Sequence, residues 1–266
     1  SSSFGKRVQC FGGAKNHMVI MPDADLDQVS DNLIGASFGA AGERCMSISV
    51  AVPVGEKTGN NLKEILLKKI KKLKVGPYNS NEKIDFGPLI SLDAKKRISK
   101  IIKNAKKEGA ELLVDGSEIN VNGHENGFYI GPTLFDRVET DTQLYKEEIF
   151  GPVLSIVRAE NVYEAKQILI NNKYGNGAAI YTNDGEVARN FVKEVNIGMI
   201  GINIPIPVPL AFYTFGGWKK SAFGDLNQHG TDSVKFYTKT KTVTAKWQKK
   251  ADKEINFSLP TSEKFD

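Results

Sequence analysis

Strand-like and helix-like patterns alternate along the first 205 residues of this 266-residue chain. Short apolar runs predict strands, and the segments between them repeat apolar residues at the spacing of an amphipathic helix. The predicted strands cover 47–53, 111–114, 129–135, 153–157, 177–182 and 197–203. The first predicted helix opens at Pro22, and the others cover 60–74, 93–108, 161–169 and 184–194. Because strands and helices of this length alternate, we predict an α/β fold, with an open, mostly parallel sheet and helices on its faces.

The pattern changes after residue 204. Prolines at 205, 207 and 209 exclude a regular helix or a central strand, so 205–230 is predicted to be an extended loop that covers a site. At 238–248 threonine and lysine alternate with apolar residues, which predicts a strand without a neighbouring hairpin to pair with. The predicted organisation is a main domain at 1–237, a lone strand at 238–248 and a poorly ordered polar tail at 249–266.

Many of the lysines behind the net charge of +5 lie on the predicted helix at 60–74. A lysine-coated face could bind nucleic acid or a membrane surface. A solvated helix face explains it better, because no aromatic residue and no arginine lies among these lysines. No apolar run is long enough to span a bilayer, and the first residues lack the pattern of a signal peptide. We therefore expect neither nucleic acid nor a membrane as a partner.

Cysteine and histidine are scarce in this chain. Two cysteines cannot build a disulfide framework, which favours a reducing compartment. The three histidines, at 17, 124 and 229, are too scattered to predict a catalytic triad or a metal site. We therefore expect no metal.

Cys45 lies in the segment 38–47, between a predicted helix and a predicted strand. Gly39 and Gly42 permit a close approach of the backbone and unusual dihedral angles. Arg44 directly precedes the cysteine, and its positive charge would favour the reactive thiolate. The alternative is a buried, structural cysteine. The residues alone leave both interpretations open.

Several short motifs follow one another along the chain. They are Gly12-Gly13, Pro22-Asp23-Ala24-Asp25-Leu26-Asp27, Gly42-Glu43-Arg44-Cys45, Glu147-Glu148-Ile149-Phe150-Gly151-Pro152-Val153, Ile202-Asn203 and Phe215-Gly216-Gly217-Trp218-Lys219-Lys220-Ser221. In this order they cover nearly the whole chain up to Trp247, and they resemble the aldehyde dehydrogenase superfamily. Three stretches, 13–17, 42–46 and 205–209, are similar to its methylmalonate-semialdehyde dehydrogenase branch, which is acylating and CoA-dependent.

The resemblance implies a fold of three parts. Most of the NAD-binding domain would lie N-terminal to this chain, which contains no glycine-rich dinucleotide fingerprint. The catalytic domain would begin about where the chain begins. The strand at 238–248 would extend the sheet of a neighbouring subunit in a homo-oligomer, a dimer of dimers. Eukaryotic relatives are mitochondrial, which implies a mitochondrial location, or a cytoplasmic one for a bacterial protein.

The resemblance also assigns roles to individual residues. Cys45 would attack the aldehyde carbon as a thiolate, hydride would pass to NAD, and a thioacyl enzyme would remain. The backbone N–H of Cys45, with an asparagine from outside this chain, would hold the oxyanion. Glu148 would bind the ribose hydroxyls, and Phe150 would pack beside the nicotinamide. The plainer alternatives are a surface carboxylate for Glu148 and a core aromatic for Phe150.

Cys10 marks a departure from the family pattern. Hydrolytic members carry a glutamate two residues before the paired glycines, and this glutamate activates water. Neither Cys10 nor Phe11, which takes that place if the motif is counted differently, can serve as such a base. The thioacyl enzyme is therefore expected to await coenzyme A. Cys10 itself is either a second reactive thiol or a packed, inert one.

Arg44 points to a substrate class. Its guanidinium could hold the carboxylate of methylmalonate or malonate semialdehyde through paired hydrogen bonds, and the alternative is an ion pair with Glu43 or another acid. The implied reaction is NAD-dependent oxidation of such a semialdehyde to propanoyl-CoA or acetyl-CoA. Two alternatives stay open: a hydrolytic dehydrogenase that releases the free acid, and a non-catalytic module for assembly.

Overall fold

The computed structural model describes residues 2–245 and 247. Its strands are β1 (Cys10–Phe11), β2 (Asn16–Ile20), β3 (Ile48–Pro53), β4 (Glu111–Val114), β5 (Thr133–Asp136), β6 (Val153–Ile156), β7 (Tyr174–Gly175), β8 (Gly177–Tyr181), β9 (Met199–Ile202), β10 (Trp218–Lys219) and β11 (Ala222–Phe223). Its helices are α1 (Leu26–Phe38), α2 (Glu56–Ile70), α3 (Leu92–Lys107), α4 (Gln143–Lys146), α5 (Val162–Asn171), α6 (Gly185–Glu194) and α7 (Gly230–Tyr237). Short 3₁₀ turns cover Ser2–Phe4 and Gly39–Gly42.

Seven strands form the central sheet, in the order β4-β5-β6-β3-β2-β8-β9. Neighbouring strands are parallel except β4 and β5, which pair antiparallel. Parallel neighbours need long crossover connections, and helices supply most of them here. The α/β fold with a mostly parallel sheet, predicted from the sequence, is confirmed.

Within the seven-stranded sheet, β2 is the strand that the sequence patterns did not predict. All five of its residues are buried, so it lacks the alternation of a half-exposed strand. Asn16 and His17 open the strand and interrupt its apolar run. Apolar periodicity therefore does not predict a fully buried strand that begins with polar residues.

The helices are held to the sheet by their apolar stripes. The predicted face of α3 is buried through Ile98, Ile101, Ile102 and Ala105, and α1 and α2 pack against β3 and against each other. On the lysine-rich face of α2, the Nζ atom of Lys69 lies 2.6 Å from a carboxylate oxygen of Asp31 on α1. Burying one large apolar side chain contributes about 1.5–3 kcal/mol, whereas an exposed ion pair contributes about 0–1 kcal/mol. Apolar burial therefore holds the helices against the sheet, and the surface lysines contribute little to this packing.

Two predicted helix starts are wrong by four residues. The first helix begins at Leu26 and not at Pro22, because the carboxylate of Asp25 caps it by accepting from the N–H groups of Asp27 and Gln28. α2 begins at Glu56 rather than at residue 60, after Gly55 adopts a φ of 85°. In both places the backbone geometry of the cap, which periodicity does not report, sets the start of the helix.

The C-terminal part differs most from the prediction. The loop predicted at 205–230 contains the short strands β10 and β11, and it leads into α7, which was not predicted. Residues 238–245 and 247 form no strand with the rest of the described chain, so their pairing with another subunit stays a prediction. The predicted tail at 249–266 lies outside the described residues. Among helices within residues 2–245, none is long and apolar enough to cross a membrane.

A buried ion pair joins the sheet to α2 at the carboxyl ends of β5 and β6. Arg158 donates from Nε and Nη2 to the two carboxylate oxygens of Asp136, at 3.0 and 2.7 Å. It also donates from Nη1 to the side-chain oxygen of Asn60 on α2, at 2.9 Å. Burial acts to raise the pKa of Asp136, but the bonds from Arg158 and the N–H of Arg137 outweigh it, so the pKa lies below its ordinary value.

Replacing Asp136 by Asn should lower the free energy of unfolding by about 3 kcal/mol at pH 7, because it removes the buried carboxylate and leaves Arg158 with the exposed Glu56 as its remaining acidic partner. Since the folded-state pKa is depressed, the contribution is complete above the unfolded-state pKa of about 4 and is lost as the pH falls through the folded-state value. Urea denaturation of wild type and Asp136→Asn between pH 7 and pH 3 measures it. The difference should narrow only below about pH 4. Asp141→Asn, at an exposed position, is the control and should change little; a constant difference down to pH 3 would contradict the assignment.

Candidate active site

Four neighbouring strands of the sheet begin at one edge, and the predicted site residues gather there. Glu148 and Phe150 precede β6, Cys45 precedes β3, Asn16 opens β2 and Asn176 precedes β8. These strands are adjacent in the order β6-β3-β2-β8 and run parallel. Parallel neighbours start at the same edge, so residues far apart in sequence meet. The site lies at the amino edge of the sheet, whereas ligands of open α/β sheets commonly bind at the carboxyl edge.

Cys45 sits in the turn between the 3₁₀ segment at Gly39–Gly42 and β3, and its side chain is exposed. The alternative of a buried structural cysteine is therefore wrong. Ala40, Ala41 and Gly42 adopt left-handed backbone angles, with φ of 53°, 55° and 69°. A Cβ at Gly42 would overlap the carbonyl oxygen of Gly151, so only glycine fits there. Left-handed alanines cost about 1–2 kcal/mol each, and packing against the loop of Gly151 holds this conformation.

Two buried carboxamides hold the backbone of Cys45. Its carbonyl oxygen accepts hydrogen bonds from the Nδ2 atoms of Asn16 and Asn176, both at 2.9 Å. Asn16 also donates to the carbonyl of Ser47 at 2.9 Å and accepts from the N–H of Gly177 at 3.0 Å. Neither asparagine was predicted from the sequence as a site residue. Asn16 lay inside a motif used only for the resemblance, and Asn176 between two glycines carried no chemical signal.

Lys15 fastens the loop that carries Glu148. Its ammonium group donates to the carbonyls of Leu144 and Glu147, at 2.7 and 2.8 Å, and the side chain is buried. Burial lowers the pKa of Lys15 to about 7, although Glu148 and Glu147 act in the opposite direction. The pKa of the half-buried Glu148 is raised by burial, against the N–H of Ala14 and the charge of Lys15. A carboxylate and a lysine therefore share a poorly hydrated corner of the site.

Phe150 lies two residues beyond Glu148, at the surface of the same loop. Its backbone has a φ of 54°, and its side chain is 39% exposed. Arg97 of α3 donates to the neighbouring carbonyl of Ile149 at 2.7 Å. The predicted alternative of a core aromatic is therefore wrong, and the loop is fixed from one side by Lys15 and from the other by Arg97.

The four residues predicted for the site line one crevice. Arg44, Cys45, Glu148 and Phe150 border it together. A second, mainly apolar cleft of about 280 Å³ opens beside it. This cleft is lined by Phe11, Gly12, Ala14, Cys45, Glu148, Asn176, Phe215, Ser221 and Gln228. Cys45 and Glu148 therefore lie where the two cavities meet.

Arg44 is exposed beside Cys45 and lies over the backbone of Gly39. Within residues 2–245 it makes no salt bridge to an acid. The carboxylate of Glu43 accepts instead from the N–H of Ile90, at 3.2 Å. The alternative of an ion pair between Arg44 and Glu43 is therefore wrong for this part of the chain.

Cys10 and Phe11 form β1, which pairs antiparallel with β11. Cys10 is exposed, and Phe11 is the one of the two that lines the apolar cleft. Side chains alternate along a strand, which places the two residues on opposite faces. The alternative of a packed, inert Cys10 is therefore wrong. Neither residue brings a carboxylate to the cleft, where Glu148 is the acid among the lining side chains.

The paired glycines, Gly12 and Gly13, form hydrogen bonds with the motif at 215–221. The hydroxyl of Ser221 donates to the carbonyl of Gly13 at 2.8 Å, and Gly12 N–H donates to the carbonyl of Ser221 at 3.0 Å. A Cβ at Gly12 would overlap the carbonyl oxygen of Lys220. Lys219 caps the end of α5 by donating to the carbonyls of Leu169, Ile170 and Asn172. This motif therefore shapes the wall of the site and holds no reactive group at its centre.

No metal ligand set accompanies the site. Within the part of the chain that the structure describes, no group of three or more His, Cys, Asp or Glu side chains could hold a metal ion. His17 is buried near Lys15, and its Nε2 lies 3.0 Å from the hydroxyl of Tyr145. Burial and the charge of Lys15 lower its pKa to about 3, which keeps it neutral.

Several proteins that are similar to this chain are named as semialdehyde dehydrogenases. Malonate-semialdehyde dehydrogenase of Pseudomonas aeruginosa is 50% identical over 258 residues, which are 97% of this chain and 52% of the relative. The mitochondrial, acylating methylmalonate-semialdehyde dehydrogenase of Arabidopsis thaliana is 47% identical over 98% of this chain and 42% of its own length. The crystal structure of methylmalonate-semialdehyde dehydrogenase from Oceanimonas doudoroffii superposes with a TM-score of 0.91 at 49% identity, over 93% of this chain and 51% of that one.

More distant structures share the fold. Betaine aldehyde dehydrogenase of Staphylococcus aureus, solved in complex with NAD+, matches with a TM-score of 0.83 at 25% identity, over 89% of this chain and 46% of that one. The chain spans about half the length of the relatives that it matches. The family model described as Aldehyde dehydrogenase family matches residues 1–243. The chain therefore belongs to the aldehyde dehydrogenase family.

Proposed function

We propose that this chain supplies the catalytic thiol domain, residues 1–237, of an NAD-dependent, CoA-acylating semialdehyde dehydrogenase. Its substrate is methylmalonate or malonate semialdehyde, and its product is propanoyl-CoA or acetyl-CoA. In the thioester on Cys45 the C–C bond to the substrate carboxylate breaks and CO₂ leaves. The electron pair passes into the thioester enolate, and a proton from solvent takes the place of the carboxylate. The observation that carries the proposal is the exposed Cys45, anchored by two carboxamides where two cavities meet. The names of the relatives at about 50% identity support the reaction and the substrate class.

The residues of the crevice fit the nicotinamide end of NAD. The carboxylate of Glu148 can accept hydrogen bonds from ribose hydroxyls, and the exposed ring of Phe150 offers a flat surface to a nicotinamide. When bound, NAD accepts the hydride of the substrate. The glycine-rich turn that binds a pyrophosphate does not occur in the 266 residues, so this chain contributes the nicotinamide end of the site.

Cys45 performs the covalent chemistry in this proposal. Its thiolate attacks the aldehyde carbon, a C–S bond forms, and the carbonyl oxygen gains the negative charge. The backbone N–H of Cys45 donates to that oxyanion, and a donor placed in this way contributes about 3–4 kcal/mol. Loss of hydride from the tetrahedral carbon restores the carbonyl and leaves a thioester on Cys45.

Coenzyme A is the proposed acyl acceptor. Cys10 and Phe11 give the cleft no carboxylate base for water, and Phe11 and Phe215 make its wall apolar. A thiolate attacks a thioester without the help of a positioned base, whereas water needs one. The rival is hydrolysis with Glu148 as the base, since its raised pKa and its place in the same cleft suit proton transfer.

Assembly and location complete the proposal. Apolar side chains at Leu210, Phe212, Val234, Tyr237 and Val243 are exposed in the single chain. These residues lie close in sequence to the segment predicted to pair with another chain, so we infer a homo-oligomer, a dimer of dimers, in which 238–248 pairs with a neighbouring subunit. The protein acts on small molecules. Its location is mitochondrial in a eukaryote, as for the Arabidopsis relative, and cytoplasmic in a bacterium.

Cys45→Ser should abolish aldehyde oxidation by the full-length protein, with a fall of at least about a hundredfold, because a serine hydroxyl without a strong base is a poor nucleophile. NADH formation at saturating NAD and malonate semialdehyde measures it. Cys10→Ser is the matched control, since it removes an exposed thiol outside the apolar cleft and should leave the rate unchanged. Turnover by Cys45→Ser near the wild-type rate would sink the assignment.

Omitting coenzyme A should leave a burst of about one NADH per active site followed by a slow phase, because the thioester then waits for water. Adding coenzyme A should raise the steady rate steeply. Stopped-flow absorbance with and without the acceptor separates the two phases. Equal steady rates in both conditions would instead assign the protein to the hydrolytic branch.

Arg44→Lys should reduce kcat/KM for malonate semialdehyde by about 10- to 100-fold relative to propanal, because lysine cannot form the paired bonds to a carboxylate. The measurement is the ratio of the two kcat/KM values in wild type and variant. Arg189→Lys, on the exposed surface of α6, serves as the control and should leave the ratio unchanged. An unchanged ratio in Arg44→Lys would remove Arg44 from substrate recognition.

A further inference from the structure

Asn176 is a buried polar residue at the site whose contacts concern the nucleophile. It is 8% exposed, lies directly before β8 and lines the apolar cleft together with Cys45. Its Nδ2 atom donates to the carbonyl oxygen of Cys45 at 2.9 Å and lies 3.0 Å from the sulfur of Met46. The first contact holds the peptide group that joins Cys45 to Met46, and the second holds the side chain of Met46.

Asn16 also donates to the carbonyl of Cys45, but its other hydrogen bonds join strands of the sheet. It joins Ser47 before β3 to Gly177 of β8, and removing it would release two strands at once. Within the described residues, the side-chain hydrogen bonds of Asn176 go to Cys45 and Met46 alone. The two carboxamides therefore divide the work: Asn16 organises the strands, and Asn176 acts on the turn that carries the thiol.

An exposed thiol needs a fixed backbone. The side chain of Cys45 is exposed, so its direction depends on the peptide groups on either side of its Cα atom. The strained run at 40–42 restrains the chain on one side, and the bonds to the Cys45 carbonyl restrain it on the other. Small displacements of a reacting group lower rates strongly, because attack requires both distance and alignment.

We propose that Asn176 is a positioning residue for Cys45. It holds the Cys45–Met46 peptide so that the thiolate and the backbone N–H of Cys45 meet the aldehyde in one fixed geometry. The inference rests on the proposed role of Cys45 as the nucleophile. Asn176 touches neither the substrate nor the cofactor in this account; it acts through the backbone of the cysteine.

The test uses Asn176→Leu and Asn176→Ala in the full-length protein. Leucine keeps the approximate volume and removes both donors without adding a charge, and alanine removes them without adding bulk. Active sites are counted by iodoacetamide labelling of Cys45, read by peptide mass spectrometry, and kcat is expressed per labelled site. Asn161→Ala is the matched control, because it removes the N-cap of α5 and lowers the melting temperature away from the site.

The kcat per labelled site should fall about tenfold in both Asn176 variants, because the loss of one hydrogen bond of this kind changes a rate by about tenfold. KM for the aldehyde should stay within about twofold, and Cys45 should still be labelled to one equivalent, because alkylation by a small reagent needs no oxyanion geometry. Asn161→Ala should keep the wild-type kcat per site. A purely structural role would lower the number of labelled sites and leave kcat per site unchanged.

Three outcomes overturn the inference. They are a kcat per site within about twofold of wild type in both variants, a loss of Cys45 labelling in parallel with activity, and failure of both variants to fold, which would make Asn176 a structural residue. Cys45→Ser, assayed alongside, separates this from the proposed function. If Cys45→Ser stays active, the proposed function fails; if it is inactive while the Asn176 variants turn over normally, only the role of Asn176 fails.

Discussion

The carboxamide of Asn16 joins three strands at the edge where the site lies. Its nitrogen donates to the carbonyls of Cys45 and Ser47 before β3, and its oxygen accepts from Gly177 at the start of β8. The side chain is 2% exposed, and a buried amide left unpaired costs about 1–3 kcal/mol for each group. The pairing of β2 with β3 shifts register between Asn16 and His17, at the point where this side chain intervenes. Asn16 therefore ties the starts of β3 and β8 to β2, which brings Cys45 and Asn176 together, and its neighbour Lys15 holds the loop of Glu148.

Burial of charge is the second constraint on the site. Lys15 follows the paired glycines into the core and holds the loop of Glu148 by its backbone carbonyls. Burial lowers the pKa of Lys15 to about 7, far below that of an exposed lysine, although the charge of Glu148 acts in the opposite direction. The raised pKa of Glu148 has the same main cause, which is burial. The crevice thus combines an exposed thiol with a half-buried carboxylate, and the buried Lys15 lies behind the loop of that carboxylate.

Elements with a periodic apolar stripe could be predicted from the sequence, and those defined by long-range contacts could not. The stripe of α3 was recovered almost to the residue, whereas the fully buried β2 has no alternation to detect. Motifs led to Cys45 and Glu148 because their chemistry is local. Asn176 acts across 131 residues on a carbonyl that only the folded sheet brings near. The start of α1 depends on the carboxylate of Asp25, which is a matter of cap geometry and not of pattern.

The central claim is that Cys45 carries the acyl group, and direct trapping tests it. The full-length protein is mixed with NAD and malonate semialdehyde without coenzyme A, quenched in acid and digested with trypsin. The two cysteines fall in separate peptides, 8–15 and 45–57. We predict an acyl adduct on the peptide that begins with Cys45, and its loss when coenzyme A is added before the quench. An adduct on the peptide of Cys10, or NADH formation without any adduct at Cys45, would contradict it.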